Sequence, residues 1–483
     1  MLKKFLGDST LYILASLVNR GIAFLLLPIY TRYLSPSDYG IIAVCVATYS
    51  ALGPMFTLNL SAAVNIFYFK LEATEFKRLL ASVALWYLTV PLLLAGVLEI
   101  AGAFSAINIS PAVPFYPYLR LAVWIAVLNA ALDLPLALYF AEQKAAKYAL
   151  LTVAGFLGAT LLLLYFVAVR QGGALGSLQA QALAGGLTSL VSYTIIVRRF
   201  DSLKELRVSF GHLREALHLS FPTVFHSLCL WGVNLSDRWI LGKFVDSTQI
   251  GLYNLAYTFG MIVSIIGVAL CTAFTPFYYK NYEDELFRAR LPKLLTLYFM
   301  IISLTTFAVS LFAREIVQVV TAPAYHSAWR LIPVIAAAYW VQSGFYLLSL
   351  NVIQNARKTK WIVALTAPSA AVNILLNLLF VPVWGVWAAA VNTLLAFSLM
   401  ATLGIIVSRR FDKLPFPWLK IAHVVLIALV GYLIGNLFLV FDSFLLSVVV
   451  KALLFLTVLA AMPLIAGFGV GDAKRILRAA RPI

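Results

Sequence analysis

Charge is what this 483-residue chain has least of. Only 11% of its residues are Asp, Glu, Lys or Arg, against 63% hydrophobic, and the mean hydropathy is +0.95. A soluble domain carries about 25% charged residues, so a water-facing surface is excluded and the chain reads as a polytopic membrane protein. Acids are scarcest, 19 against 36 basic residues, for a formal net charge of +17. Such an excess can signal nucleic acid, but no basic tract with interleaved aromatics stands apart, and nucleic acid is not an expected partner. The three cysteines, Cys45, Cys229 and Cys271, lie in apolar runs without ligand-like spacing; they read as small core residues, and no metal site is expected. The absence of a GxxxxGK loop excludes a built-in ATPase. No connection exceeds about 20 residues, whereas membrane polymerases and ligases generally need a sizeable outer-face loop domain. The chain is therefore not expected to be an enzyme or to hold a cofactor.

What is present is a succession of apolar stretches, each near the ~20 residues that cross a bilayer. They fall at 10–33, 41–68, 79–102, 117–141, 146–169, 174–197, 216–241, 251–278, 293–313, 328–354, 361–381, 385–408, 419–440 and 444–467. The expected fold class is all-α, with fourteen transmembrane helices. The start, MLKKFLGDSTLYILASLVNRGIAF, resembles a cleaved signal peptide. Asn19 and Arg20 interrupt its apolar run, which continues to Tyr33, so an uncleaved first helix is expected. Of the 36 basic residues, 27 fall in every second loop or at the termini; the positive-inside rule then places both termini in the cytoplasm. In the 201–215 connection, Leu203, Leu206, Leu213 and Leu217 recur at helix-like spacing between basic residues, as in a helix lying along the membrane surface.

An internal repeat runs through the chain. TRYLSPSDYG, ending at Gly40, faces GKFVDSTQIG, ending at Gly251, at an offset of 211. IFYFK ending at Lys70 faces PFYYK ending at Lys280; Arg120-Leu121 faces Arg330-Leu331; RRFDSL from Arg198 faces RRFDKL from Arg409. Four matches in one order at a near-constant offset imply two parallel six-helix units related by a pseudo-twofold axis along the membrane normal. The expected division is an N-terminal bundle over 1–200, an amphipathic linker over 201–215, a C-terminal bundle over 216–412, and a helix pair with a basic tail over 413–483.

Ionisable residues inside apolar runs are costly and mark functional candidates. Arg20, with Asn19 beside it, lies mid-span in the first stretch. Asn234, Asp237 and Arg238 fall on one face of the 216–241 stretch if it is a single helix; the bland alternative is that Arg238 snorkels outward and pairs with Asp237. Asp133 makes a polar notch with Asn129 and Pro135. It could bind a proton or sodium ion or pair with Arg20, or simply bond backbone freed by the proline. Arg120 and Arg330, at equivalent outer positions, read as interface anchors or gate elements. His226 could titrate during transport, though a lone histidine is more often packing. Asn373 and Asn377, one turn apart, suit either glycan hydroxyls or helix–helix glue. Glu99 and Lys451 are expected near membrane interfaces, and the tryptophans, including Trp231 and Trp239, in belts or core.

DRWILGKFVDSTQIGLY, the TRYLSPSDYG turn and the RRFD segments resemble the bacterial polysaccharide flippases of the multidrug/oligosaccharidyl-lipid/polysaccharide exporter superfamily. The resemblance implies a V-shaped pair of bundles that moves an undecaprenyl-diphosphate-linked oligosaccharide to the outer leaflet of the bacterial inner membrane by alternating access. The product would feed O-antigen of lipopolysaccharide or another surface polysaccharide, with polysaccharide assembly proteins as candidate partners. Moving a diphosphate head across roughly 30 Å of hydrocarbon needs a polar passage with cations, and Arg suits phosphate. Arg20, Asn19, Arg238 and Asn234 are the substrate candidates; Asp133, Asp237, Arg120 and Arg330 are the coupling or gating candidates. The alternatives are a cation-coupled multidrug exporter of the same superfamily, or a membrane polymerase or ligase.

Overall fold

A computed structural model describes residues 24, 26–103, 110–200, 207–439, 441 and 443–465. Among these residues there is no strand, and twelve helices are long and apolar enough to cross a membrane. In chain order they are α1 Pro36–Thr57, α2 Ala73–Ala103, α3 Phe115–Ala141, α4 Ala145–Val169, α5 Gly173–Val197, α6 Phe210–Asn234, α7 Ser247–Asn281, α8 Glu285–Leu311, α9 Pro323–Asn355, α10 Lys360–Ser408, α11 Trp418–Phe438 and α12 Phe444–Leu464. The chain is thus a multi-pass membrane protein. Most of the first expected stretch lies outside the described residues, which take it up as the short helix Leu27–Tyr33. The residues divide into two compact units, Met1–Leu252 and Tyr253–Ile483, with the boundary inside α7.

Apolar side chains point outward as well as inward. On α2, Leu93, Val97 and Ile100 recur at helical spacing and are 69%, 62% and 62% exposed, a stripe suited to lipid tails. Between helices of a membrane protein, close packing of small residues replaces the hydrophobic drive of a soluble core. Gly185 of α5 accordingly packs against Leu128, and within the second unit Gly404 packs against Ser349.

Several helices are broken, and the breaks have local causes. In α3 the helix is interrupted at Ala131 and Leu132, ahead of Asp133 and Pro135, since Pro removes a donor and crowds the preceding turn. After α1, Leu58 and Asn59 take positive φ of 44° and 50° before a short helix, Leu60–Phe67. The 49-residue α10 would span about 74 Å if straight, at 1.5 Å per residue, but Gly385, with φ 55° and ψ −134°, bends it. α6 begins at Phe210, six residues ahead of the expected start at 216, because Ser209 caps it with its side chain on the His212 N–H. Leu213 and Leu217 therefore belong to α6 rather than to a separate surface helix, while Leu203 and Leu206 lie outside the described residues.

Candidate functional site

The repeated turn is a helix start in both copies. Ser35 and Asp38 form a capping box at α1: Ser35 Oγ accepts the Asp38 N–H at 3.1 Å, and Asp38 Oδ2 accepts the Ser35 N–H at 3.0 Å, satisfying donors that a helix end leaves open. In the second copy Asp246 Oδ1 accepts the Gln249 N–H at 2.8 Å at the start of α7. The free oxygen of Asp38 accepts the Ala174 N–H at 2.9 Å, fixing the start of α5 as well.

The two helix starts meet inside the first unit. The Ser37 and Ser247 hydroxyls are 2.6 Å apart. A Cβ on Gly40 would collide with the Ser247 carbonyl, and one on Gly251 with the Pro36 carbonyl. Pro36 and Ser247, like Gly40 and Gly251, are repeat equivalents, so the contact is reciprocal, and only residues without a side chain allow it.

The charged stretch lies just before this crossing. The expected single helix over 216–241 is broken: α6 ends at Asn234, Leu235 takes φ −135° and ψ −17°, and a short helix Ser236–Phe244 follows. Asn234, Asp237 and Arg238 therefore do not share one continuous helix face, yet the break brings them together. Arg238 Nη1 donates to Asp237 Oδ1 at 2.7 Å and to the Asn234 carbonyl at 2.6 Å. Ser236 Oγ donates to the Gly232 carbonyl at 2.5 Å. The guanidinium thus covers a carbonyl that the break frees from its helical partner. Arg238 does not snorkel outward: it is 2% exposed and Asp237 is 0% exposed. Two tryptophans hold the segment on α1, Trp231 Nε1 on the Ala47 carbonyl at 2.8 Å and Trp239 Nε1 on Thr48 Oγ1 at 3.0 Å.

The other expected residues separate. Asn19 and Arg20 lie outside the described residues. Asp133 and Asn129 are both exposed, on either side of the α3 break. Arg120 Nε pairs with Glu99 Oε1 at 2.6 Å and lies over the Tyr116 ring at 5.6 Å. Arg330, in the second unit, lies over Trp329 at 6.0 Å. His226 is half-buried, and the three cysteines are buried and form no disulfide. Among the described residues no group of three or more His, Cys, Asp or Glu side chains could hold a metal.

Two clusters escaped the sequence reading, and a third was read only in part. In the second unit Lys451 is buried, with Nζ 2.8 Å from Glu315 Oε1, 3.1 Å from the Leu311 carbonyl and 3.2 Å from Asn436 Oδ1. Asn392 joins the expected pair, donating to Asn377, which donates to Asn373, both at 3.1 Å; these buried amides act as helix glue across the α10 bend. In the first unit Glu142, just beyond α3, binds both Arg199 nitrogens at 2.6 and 3.0 Å and Lys144 at 2.8 Å. Arg199 lies 57 residues from Glu142 along the chain, and only the RRFD repeat hinted at it.

The comparisons agree with this architecture. A lipid II flippase, MurJ in an inward closed conformation, shares the fold with a TM-score of 0.76 at 14% identity, over 94% of this chain and 99% of that one. An inward-facing multidrug resistance MATE family transporter of the MOP superfamily gives 0.59 at 16% identity, over 83% and 94%. A MOP superfamily transporter from Pyrococcus furiosus gives 0.55 at 17% identity, over 86% and 96%. No curated protein matches in sequence. The family model described as polysaccharide biosynthesis protein matches residues 5–282, more than half of the chain, and the chain belongs to that family.

Proposed function

We propose that this protein flips an undecaprenyl-diphosphate-linked oligosaccharide from the cytoplasmic to the outer leaflet of the bacterial inner membrane, for assembly of a surface polysaccharide. What carries the reading is one conjunction: membership of a polysaccharide biosynthesis family in a chain that shares, along nearly its whole length, the fold of a lipid II flippase. The composition fits the task, since a lipid-linked head group needs a polar passage while its tail stays in hydrocarbon. In this reading fourteen spans form two six-helix bundles and a C-terminal pair, both termini are cytoplasmic, and no catalysis is involved. The reciprocal contact of the α1 and α7 starts closes one end of the passage and opens in the alternate state. Arg20 is the proposed cation for the diphosphate, because Arg238 is committed to Asp237 and the Asn234 carbonyl. Asp133 is the proposed site for a coupling proton or sodium ion.

Depletion of the protein in spheroplasts tests the reading: lipid-linked glycan should stay inaccessible to outer-face enzymes, and unchanged outer-face exposure on depletion would refute it. A cation-coupled multidrug exporter is the second reading, favoured by the exposed carboxylate of Asp133 within a span. It predicts drug resistance on overexpression with no effect on glycan exposure.

A further inference from the structure

The helix that carries the crossing is built differently in the two repeats. In the first unit α1 stops at Thr57, Leu58 and Asn59 take the left-handed conformation at φ 44° and 50°, and the helix Leu60–Phe67 follows. In the second unit the equivalent level of α7, Val268 to Leu270, lies inside the unbroken helix Ile262–Asn281. Left-handed backbone is costly for residues with a side chain, and here two of them are consecutive. α2 braces the break from both sides. Trp86 Nε1 donates to the Phe56 carbonyl at 3.1 Å, ahead of the break. The Tyr87 hydroxyl accepts the Ser61 N–H at 3.1 Å, beyond it. Both backbone groups lie where an interruption takes ladder partners away. Tyr298, the counterpart of Tyr87 at an offset of 211, has no break to span: its hydroxyl is 3.2 Å from the Gly267 carbonyl of α7 and 2.8 Å from the Ser343 carbonyl of α9.

The spacing of the repeat says what the break accomplishes. Lys70 lies 30 residues after Gly40, but Lys280 lies only 29 after Gly251. Each residue turns an α-helix by about 100°, so one extra residue in a continuous α1 would turn its two ends against each other by that angle. The outer end is fixed at the crossing, where Gly40 meets the Ser247 carbonyl. The inner end is fixed by the packing of Leu60, Ala63 and Val64 with Tyr87, Leu134 and Leu138. The break absorbs the extra residue and lets both ends hold. A continuous α1 keeps its inner packing only by turning Gly40 off the crossing.

We propose that Leu58 and Asn59 form the hinge of the crossing: broken while the α1 and α7 starts touch, and zipped into one helix when they part. Trp86 and Tyr87 hold the broken form, and the two left-handed residues store the strain that zipping releases. The inference rests on the opening of the crossing proposed above, but not on what is transported.

The test reads closure of the crossing as the rate of disulfide formation between Ser37→Cys and Ser247→Cys, whose parent hydroxyls are 2.6 Å apart. It uses purified full-length protein with Cys45, Cys229 and Cys271 changed to alanine. Asn59→Ala and Asn59→Gly both remove the amide bonds to Thr223 and Ser227, but only glycine adopts the left-handed conformation freely. Asn59→Ala should slow cross-linking about tenfold, the size of the left-handed penalty, while Asn59→Gly keeps the parent rate. Tyr87→Phe, which retains the ring, should slow it as well. Equal rates in the alanine and glycine variants would overturn the proposal. In protein without the two introduced cysteines, spin labels at Ile42 and Phe69, about 40 Å apart on a continuous helix, should move toward that distance in Asn59→Ala. Lengthening without slower cross-linking would overturn the link between hinge and crossing, and an unchanged distance would overturn the hinge. Neither readout involves glycan exposure, so failure of the hinge and failure of the transport reading are told apart.

Discussion

Among the described residues each unit holds an ion pair with both side chains deeply buried, and the two pairs are built for different tasks. Asp237 and Arg238 are neighbours in sequence and close a break between Asn234 and Ser236. Glu315 and Lys451 lie on the short helix Ala313–Val320 and on α12, and their network reaches Asn436 of α11 and the end of α8. Burying charges costs several kcal/mol per ion whichever residues supply them. The local pair uses that interaction to set the direction of one chain segment. The distant pair ties the last helical hairpin to the unit it packs on, where apolar contacts of Phe307, Val424 and Val458 do the rest.

Removal of one partner of the distant pair should have the largest effect. Lys451→Met strands the Glu315 carboxylate and should cost about 3–5 kcal/mol, read as a lowered thermal midpoint in detergent. Lys451→Met with Glu315→Leu should recover most of that loss; equal losses in the single and double variants would show that the hairpin does not depend on the pair. Next comes Arg238→Lys, which keeps the charge but replaces the guanidinium whose Nη1 donates to both Asp237 and the Asn234 carbonyl. A loss of about 1–2 kcal/mol is expected, and an unchanged midpoint would mean the break is held by the tryptophans alone.

The pH dependence sharpens the same contrast. Burial tends to raise the Glu315 pKa, but hydrogen bonds from Lys451 and Ser447 prevail and hold it below the usual carboxylate range. A depressed pKa contributes stability that is complete above the unfolded value of about 4.3 and is lost as pH falls through the folded one. The midpoint should therefore be flat from neutral pH to about 5 and fall below that, and Glu315→Gln should blunt the fall. Smallest of all is Arg120→Gln. Its pair with Glu99 is half-exposed on the Arg side, 51%, and such pairs contribute about 1 kcal/mol or less. A loss as large as that from Lys451→Met would erase the distinction drawn between buried and exposed pairs.

Part of this organisation was legible in the sequence for physical reasons. Proline and polar residues announced the α3 break, since Pro135 cannot serve a continuous ladder. The TRYLSPSDYG and GKFVDSTQIG matches announced two equivalent turns, but not that helices begin inside them at Pro36 and Ser247. The RRFD repeat announced that two corners would be alike. It could not announce that the Asp412 carboxylate would meet Tyr278 and Arg288, because those partners come together only on folding. Glu142 with Arg199, and Glu315 with Lys451, are joined by folding across 57 and 136 residues, and no local pattern marks such partners. Burial of Arg238 was equally hidden: the stretch carries its charge in plain view, but its enclosure comes from α1.

The reciprocal glycine contact makes the two copies of the turn sterically interdependent. Gly40 is pressed against the carbonyl of Ser247, and Gly251 against the carbonyl of Pro36. A side chain gained at either glycine would have to displace the backbone of the opposite copy. The two positions therefore behave as one steric unit, and a change in either turn is felt at the start of the other helix.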